Sequence, residues 1–152
     1  MRGICKSFPG VKALDDLNFD LRSGEVHGIL GENGAGKSTL IKVLGGIYRP
    51  EAGEILINGE KAHIHNVMSA KAYGISIIHQ ELMLVPHMTV AENVYLTREP
   101  KTRSGRIDKA KMNADTQAIL DGLGTPIQAT TMVSRLSIAQ QQQVEIAKAL
   151  SM

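Results

Sequence analysis

The chain has 152 residues, a formal net charge of +2, and a composition that is 43% hydrophobic but only 3% aromatic. This length suits one domain with an aliphatic core, and so small a charge gives no argument for binding to nucleic acid or to an anionic membrane. Cys5 is the only cysteine, which rules out a disulfide framework and favours a reducing compartment. The N-terminus lacks the apolar segment of a secretory signal, and no run approaches the ~18 apolar residues that span a bilayer.

The first eighty residues are predicted to be rich in strands. Leu17–Leu21 alternates apolar and polar residues, and Val26–Leu30 is a short apolar run typical of a buried strand. Ile55-Leu56-Ile57 leads into Asn58-Gly59, which is a strong signal for a two-residue hairpin turn of type I′. Ile75–Ile78 is a second candidate for a buried strand.

From about residue 89 onward the pattern becomes helical. Residues 97–106 form a charged stretch interrupted by Pro100 and Gly105, which predicts a solvated surface loop. Asp108 is then placed to cap a helix that ends between Gly122 and Pro126. That helix carries the apolar residues Met112, Ile119, Leu120 and Leu123.

The segment Gly31–Thr39 fits the pattern G-x-x-x-x-G-K-[ST] of a phosphate-binding P-loop. An apolar run precedes it, which gives the strand that the motif requires. The residues after it have the spacing of one helix face, namely Leu40, Val43, Leu44 and Ile47. Glycines let backbone N–H groups turn inward as a nest for phosphate oxygens, and the start of the helix adds partial positive charge. A glycine-rich turn that binds nothing is the alternative, but the agreement of motif and context favours a nucleotide site.

Two side chains of this loop have specific expected roles. Lys37 should reach the β- and γ-phosphates of the nucleotide, and the Ser38 hydroxyl should ligate Mg²⁺. The other expected nucleotide contacts of the loop are Gly31, Asn33, Gly34, Ala35, Gly36 and Thr39.

A second motif lies at Leu136–Leu150. Ser137 and Gln140 form the S-x-x-Q pattern of a capping box, which predicts the start of a helix. Val144, Ile146, Ala147 and Leu150 give this helix an apolar packing face. Its N-terminus is a second candidate anion site, although a capped amphipathic helix without any ligand would explain the segment on its own.

With both motifs present, the chain resembles the ATP-binding cassette (ABC) ATPases, specifically the bacterial sugar-importer branch, over essentially its whole length. Leu136–Gln140 occupies the place of the family signature Leu-Ser-Gly-Gly-Gln, Lys6–Leu14 is similar to the opening of the family, and Ile78–Leu82 is similar to its Q-loop. The resemblance implies an α/β fold of the P-loop NTPase class with a parallel core sheet, an antiparallel β subdomain and the start of a helical subdomain. It places the ATP-binding core and β subdomain in residues 1–96, and the helical subdomain, through the signature helix, in residues 97–152.

The resemblance also implies roles for residues outside the P-loop. Phe8 matches the aromatic residue that stacks on adenine, although packing in the core remains an alternative for it. Gln80 would contact Mg²⁺ and the attacking water, so that Lys37 and Gln80 are the expected catalytic residues. Ser137 and Gln140 would contact ATP held by the opposite cassette.

Two departures from the family pattern affect these expectations. Ile138 and Ala139 replace the two signature glycines, and a Cβ at both positions narrows the nest for the γ-phosphate. No residue of the chain is a candidate for the Walker B aspartate or the catalytic glutamate, because its later acidic residues lie in polar helical stretches or, as Glu145, inside the signature helix. The parent protein is therefore expected to hydrolyse ATP, while these 152 residues alone are expected to be nearly inactive. Without the Walker B strand, unpaired strand edges are expected to make the chain poorly stable or self-associating.

The implied function is that of an ATP-binding subunit, bound peripherally to the cytoplasmic face of the bacterial inner membrane, that powers uptake of a monosaccharide. Its implied partners are a second cassette in the same or a partner chain, integral membrane permease subunits and, indirectly, a periplasmic sugar-binding protein, but no nucleic acid. Two alternatives remain: an ABC ATPase of the DNA repair or translation type, and a nucleotide-binding fragment without turnover. A kinase or GTPase is disfavoured, because no Asn-Lys-x-Asp motif is present and the signature segment would be unexplained.

Overall fold

The computed structural model describes all 152 residues, which divide into two compact units, Met1–Ile77 and Ile78–Met152. The first unit contains β1 (Arg2–Phe8), β2 (Val11–Leu17), α1 (Lys37–Leu44), β3 (Ala52–Glu54), β4 (Leu56–Ile57), β5 (Glu60–Lys61) and α2 (Val67–Ala72). The second contains α3 (Val90–Val94), α4 (Lys109–Gly122), a 3₁₀ helix (Val133–Arg135) and α5 (Ile138–Leu150). None of these helices has the length and apolar character needed to cross a membrane.

The first unit is built on a three-stranded antiparallel sheet in the order β2-β1-β3. Ile4 of β1 pairs with Leu17 of β2, and Phe8 pairs with Val11 beside the turn that joins the two strands. Apolar side chains from this sheet, from α1 and from residues 55–70 are buried together in one core. Its buried members are Ile4, Leu14, Leu40, Val43, Ile55, Ala62, Ile64 and Ala70.

The predicted hairpin at Asn58-Gly59 is confirmed. It joins β4 and β5, in which Ile57 pairs with Glu60. Asn58 has φ 53° and Gly59 has φ 85°, so both central residues have the positive φ that a type I′ turn requires.

The strands predicted at Val26–Leu30 and Ile75–Ile78 are not formed, and the predicted strand at Leu17–Leu21 reaches only Leu17 as the end of β2. Both sheets are antiparallel, and no strand of the chain pairs with either apolar run. Val26 is 99% exposed and Leu30 is 95% exposed. An apolar run becomes a strand only when a neighbouring strand accepts and donates its backbone hydrogen bonds, and no such neighbour is present in these residues.

The second unit is helical, with α3, α4 and α5 around a core of its own. The Asp108 side chain accepts a hydrogen bond from the Lys111 N–H at 2.9 Å, and α4 ends at Gly122, so both predicted boundaries of this helix are confirmed. Residues 97–106 form no helix and no strand, as predicted, and Lys101 makes an isolated bridge with Ile107 beside them. The core consists of Val90, Ala91, Val94, Met112, Leu120, Ile127, Ala129, Val133, Val144 and Ala147.

Candidate functional site

The glycine-rich loop ends directly at α1, whose first residue is Lys37. The Lys37 ammonium folds back over the loop, where Nζ donates hydrogen bonds to the carbonyls of Gly31 at 2.6 Å and Glu32 at 2.7 Å. Lys37 takes part in none of the ion pairs of the chain. Its positive charge is therefore held by neutral acceptors at the start of a helix, where an anion would be attracted to it.

Two glycines of the loop stand at positions that a side chain would disturb. Gly34 has φ 88°, a conformation that L side chains rarely adopt, and no atom lies within 4 Å of where its Cβ would stand. A Cβ on Gly31 would lie 3.3 Å from the Ala35 Cβ and 4.0 Å from Lys37 Nζ, which is inside the loop. A side chain at position 31 would crowd Ala35 and Lys37, and the backbone conformation at position 34 favours glycine, so the loop fits the nest that binds phosphate oxygens.

Gly36 holds the loop against the sheet. It has φ 84°, and a Cβ there would stand 2.4 Å from the Ala13 carbonyl oxygen and 3.0 Å from the Leu14 side chain. Only a glycine permits this approach of the loop to β2. Because Gly36 is also the N-cap of α1, the close approach fixes where the helix begins.

The body of α1 anchors its N-terminus in the core. Leu40 and Val43 are buried and Leu44 packs against the same core, which confirms the predicted apolar face for these residues. Ile47 lies beyond the end of the helix at Leu44 and is 41% exposed, so its place in that face was predicted wrongly. Ser38 and Thr39 occupy the first turn of the helix, beside the loop.

Phe8, the candidate adenine contact, is half-buried at the end of β1. Its ring meets the Tyr48 ring edge-on with centroids 5.2 Å apart, and the Lys6 ammonium lies 5.6 Å from its centroid. These contacts show packing within the chain, while stacking on a base stays a prediction.

The second unit contains the predicted capping box at the start of α5. The Gln140 N–H donates to Ser137 Oγ at 3.3 Å, and the Ser137 N–H donates to Gln140 Oε1 at 3.0 Å. The prediction of this helix start is confirmed. Ser137 and Ala139 are exposed, and Ile138 is 70% exposed although it is apolar. The start of α5 thus presents an uncovered surface to a ligand or partner.

The predicted packing face of α5 is right in part. Val144 and Ala147 are fully buried, but Ile146 is 38% exposed and Leu150 is 60% exposed. Apolar residues at helical spacing identify the helix, but its rotation is set by what it packs on. Helix α5 packs on α3 and α4, which together bury only a narrow stripe of its surface.

Gln80, the candidate Q-loop residue, is exposed in an irregular segment at the start of the second unit. The loop residues Gly31–Thr39 lie together in the first unit, and Ser137 lies with Gln140 in the second. The roles of Gln80 and Ser137 toward a nucleotide bound in the loop stay predictions.

Sequence reasoning missed the polar residues that fix the segment after Gln80. Asn93 is completely buried, and its side chain holds both the N–H and the carbonyl of Val85, at 2.7 and 3.0 Å. Thr89 and Glu92 form a further capping box, at the start of α3. The Thr89 backbone N–H and hydroxyl hold the pKa of Glu92 below its usual range. The T-x-x-E spacing was a signal for this box, whereas nothing in the sequence marked Asn93.

Comparisons with known proteins agree with these features. A family model described as ABC transporter matches residues 14–152. A putative ribose/galactose/methyl galactoside import ATP-binding protein of Agrobacterium fabrum is 55% identical over 152 residues, which are 100% of this chain and 30% of that relative. The chain spans about 30% of the length of the curated relatives it matches.

Solved structures show the same fold. A nucleotide-free ATP-binding cassette from an ABC transporter matches 99% of this chain and 63% of its own length, with a TM-score of 0.81 and 26% identity. A dimeric cassette in a post-hydrolysis state, bound to ADP and Pi, matches 99% of this chain and 68% of its own length, with a TM-score of 0.75 and 26% identity. The likeness covers the loop, both sheets and all the helices described above.

Proposed function

Because the chain belongs to the ABC transporter family, we propose that it is part of an ATP-binding subunit that couples ATP binding and hydrolysis to the import of a monosaccharide. The observation that carries the proposal is the Lys37 ammonium, held by the carbonyls of Gly31 and Glu32 over a glycine cradle at the start of α1. The sugar class is supported by the name of the relative from Agrobacterium fabrum.

Nucleotide capture follows from the loop. The backbone N–H groups of Gly31–Gly36 would surround the β- and γ-phosphates, and Lys37 would exchange its two carbonyl acceptors for phosphate oxygens. Mg²⁺, bound with ATP, would neutralise charge that develops on the phosphates during hydrolysis. Ser38, in the first turn of α1, and Gln80 would hold that ion, Gln80 would also orient the attacking water, and Phe8 would carry the adenine.

The exposed start of α5 supports a second cassette as a partner of the subunit. Ser137 and Gln140 would meet ATP bound to a second cassette, in the same or a partner chain, and the dimeric solved cassette bound to ADP and Pi supports such a pair. Ile138 and Ala139 give this nest less room than two glycines would. Closure and reopening of the pair would drive permease subunits from the cytoplasmic face of the inner membrane, with a periplasmic sugar-binding protein as an indirect partner.

The 152 residues alone are proposed to bind nucleotide without efficient turnover. The sequence offers no candidate for the Walker B aspartate or for the catalytic glutamate that would act as a base for the attacking water. A positioned general base typically raises the rate of a reaction by about 10²–10⁴-fold, and the isolated chain would lack an acceleration of that order.

Sugar uptake by cells tests the function of the full-length protein. Cells that lack its gene would be complemented with the wild type, with Lys37→Ala, or with Lys42→Ala as a matched control on the same helix. We expect uptake of labelled ribose or galactose to be restored by the wild type and by Lys42→Ala, but not by Lys37→Ala. Normal uptake of every tested sugar in the deleted cells would contradict import and favour an ABC ATPase without a membrane partner.

A further inference from the structure

A carboxylate in the middle of α5 reaches the segment that follows Gln80. The Met83 backbone N–H donates a hydrogen bond to Glu145 Oε1 at 2.8 Å, across 62 residues of sequence. Glu145 is half-buried, lies two helical turns after Ser137, and has no role in the proposed chemistry. Met83, in turn, is three residues after Gln80.

The same segment is fixed by a buried amide. Asn93 accepts a hydrogen bond from the Val85 N–H at 2.7 Å and donates to the carbonyls of Val85 and Thr89, both at 3.0 Å. Because Asn93 belongs to α3 and is completely buried, these hydrogen bonds tie the backbone from Val85 to Thr89 to that helix.

The segment is also joined to the residues that lead into α5. The Ser134 N–H donates to the Pro86 carbonyl at 2.9 Å, and the Val133 N–H donates to the Met88 carbonyl at 3.0 Å. Ser134 belongs to the 3₁₀ helix that ends two residues before Ser137. Residues 83–88 are therefore bound at one end to the middle of α5 and at the other to the approach to its N-terminus.

We propose that Glu145 is a positioning residue that clamps the backbone after Gln80 to the helix carrying Ser137, so that both move as one body when a partner displaces residues 83–88. The inference rests on the proposed function, in which Gln80 and Ser137 both serve ATP. The backbone hydrogen bonds at Pro86 and Met88 hold the far end of the segment, and Glu145 is the side chain of α5 whose hydrogen bond holds the end near Gln80. Removing it frees that end while the core around Asn93 stays intact.

The chemistry of the contact gives a conservative rescue. A glutamine at position 145 keeps an oxygen that accepts from the Met83 N–H, whereas an alanine removes the acceptor and leaves water in its place. Gln142 is an exposed residue of the same helix, so that Gln142→Ala is a matched control for changes in α5.

The test uses the full-length subunit assembled with its permease in vesicles, with ATP hydrolysis measured with and without the transported sugar. For Glu145→Ala we expect a KM for ATP within about twofold of the wild type. We expect the stimulation by sugar to fall by about fivefold or more, the range of a typical coupling between sites. Glu145→Gln should retain most of the stimulation, and Gln142→Ala should match the wild type. Full stimulation in Glu145→Ala would overturn the proposal.

Hydrogen exchange of the unassembled full-length subunit supplies a readout that does not depend on activity. The Met83 amide should exchange faster in Glu145→Ala than in Glu145→Gln, while the Ser134 amide stays protected in both. Unchanged exchange at Met83 would contradict the clamp. Absence of ATP hydrolysis in the wild-type assembly would instead contradict the proposed function, and the exchange result would still decide whether the clamp exists.

Discussion

The ammonium of Lys37, the first residue of α1, donates a 2.6 Å hydrogen bond to the carbonyl of Gly31, the first residue of the glycine-rich loop. A charged donor satisfied by neutral acceptors can exchange them for phosphate oxygens without breaking an ion pair. This relationship links the glycine pattern of the sequence to the binding of an anion.

Lys37→Ala should weaken binding of Mg-ATP to the 152-residue chain. The change removes a hydrogen bond to a charged group, worth ~1.5–3 kcal/mol, which corresponds to tenfold weaker binding or more. Isothermal titration calorimetry measures the effect, with Lys42→Ala as the control. Equal affinity of Lys37→Ala and the wild type would show that the loop does not hold the phosphates.

Gly36→Ala should destabilise the first unit more than Gly10→Ala does. Both glycines have φ near 80°, but a Cβ at Gly36 would meet the Ala13 carbonyl at 2.4 Å, whereas a Cβ at Gly10 would meet nothing within 4 Å. The left-handed conformation alone costs about 1–2 kcal/mol for an alanine, and the close contact adds to that cost only at Gly36. Urea unfolding compares the two variants, and equal losses would mean that the loop can move away from β2.

Thr116→Val should stabilise the second unit. Thr116 is completely buried, and its hydroxyl has no hydrogen-bond partner. Replacing it with a methyl group of similar shape removes an unmet desolvation cost of about 1–3 kcal/mol. The control is Thr125→Val, which should instead lower the stability, because the Thr125 hydroxyl donates a hydrogen bond to Gln143 Oε1 at 2.8 Å that valine cannot make. Thermal melting of both variants measures the difference, and a lower melting temperature for Thr116→Val would contradict the prediction.

Glu92→Gln should reduce the loss of stability in acid. The Thr89 N–H and hydroxyl lower the pKa of Glu92 below its ordinary value of 4.5, so that the ionised form stabilises the folded state above that value. This contribution disappears as the pH falls through the lowered pKa of the folded state. The free energies of unfolding of the variant and the wild type should therefore differ at neutral pH and converge in acid.

Urea titrations at several pH values between about 7 and about 3 measure this convergence. Glu25 and Glu51 also have lowered pKa values, because the backbone N–H groups of Arg22 and Ser7 donate to them, so the wild type loses stability in acid from several groups. The difference between the variant and the wild type isolates Glu92. Parallel curves for the two proteins would refute its contribution.

The isolated chain should self-associate through the apolar run at Val26–Leu30. Val26 and Leu30 are almost completely exposed, and no strand pairs with the run, which makes it a template for a second chain. Light scattering should give a mass that rises with concentration, and Val26→Lys should lower it more than Met68→Lys, a change at an exposed site in α2. A concentration-independent monomer with a sharp melt would contradict this expectation.

The local elements of this chain were determined by its sequence alone. The capping box at Ser137, the cap at Asp108 and the turn at Asn58-Gly59 depend on residues within a few positions of each other, so short-range chemistry sufficed to predict them. The glycine spacing before Lys37 likewise identified the loop, because a nest of backbone N–H groups is a local structure.

Tertiary structure decided which apolar runs became strands and which faces were buried. Val26–Leu30 has the composition of a core strand but lacks a neighbour to complete its hydrogen bonds, and Leu150 has the spacing of a core residue but lies outside the buried stripe. The bond between Met83 and Glu145 joins residues 62 positions apart. Such contacts depend on where the packing of α3, α4 and α5 brings distant segments together, and no pattern of neighbouring residues encodes that placement.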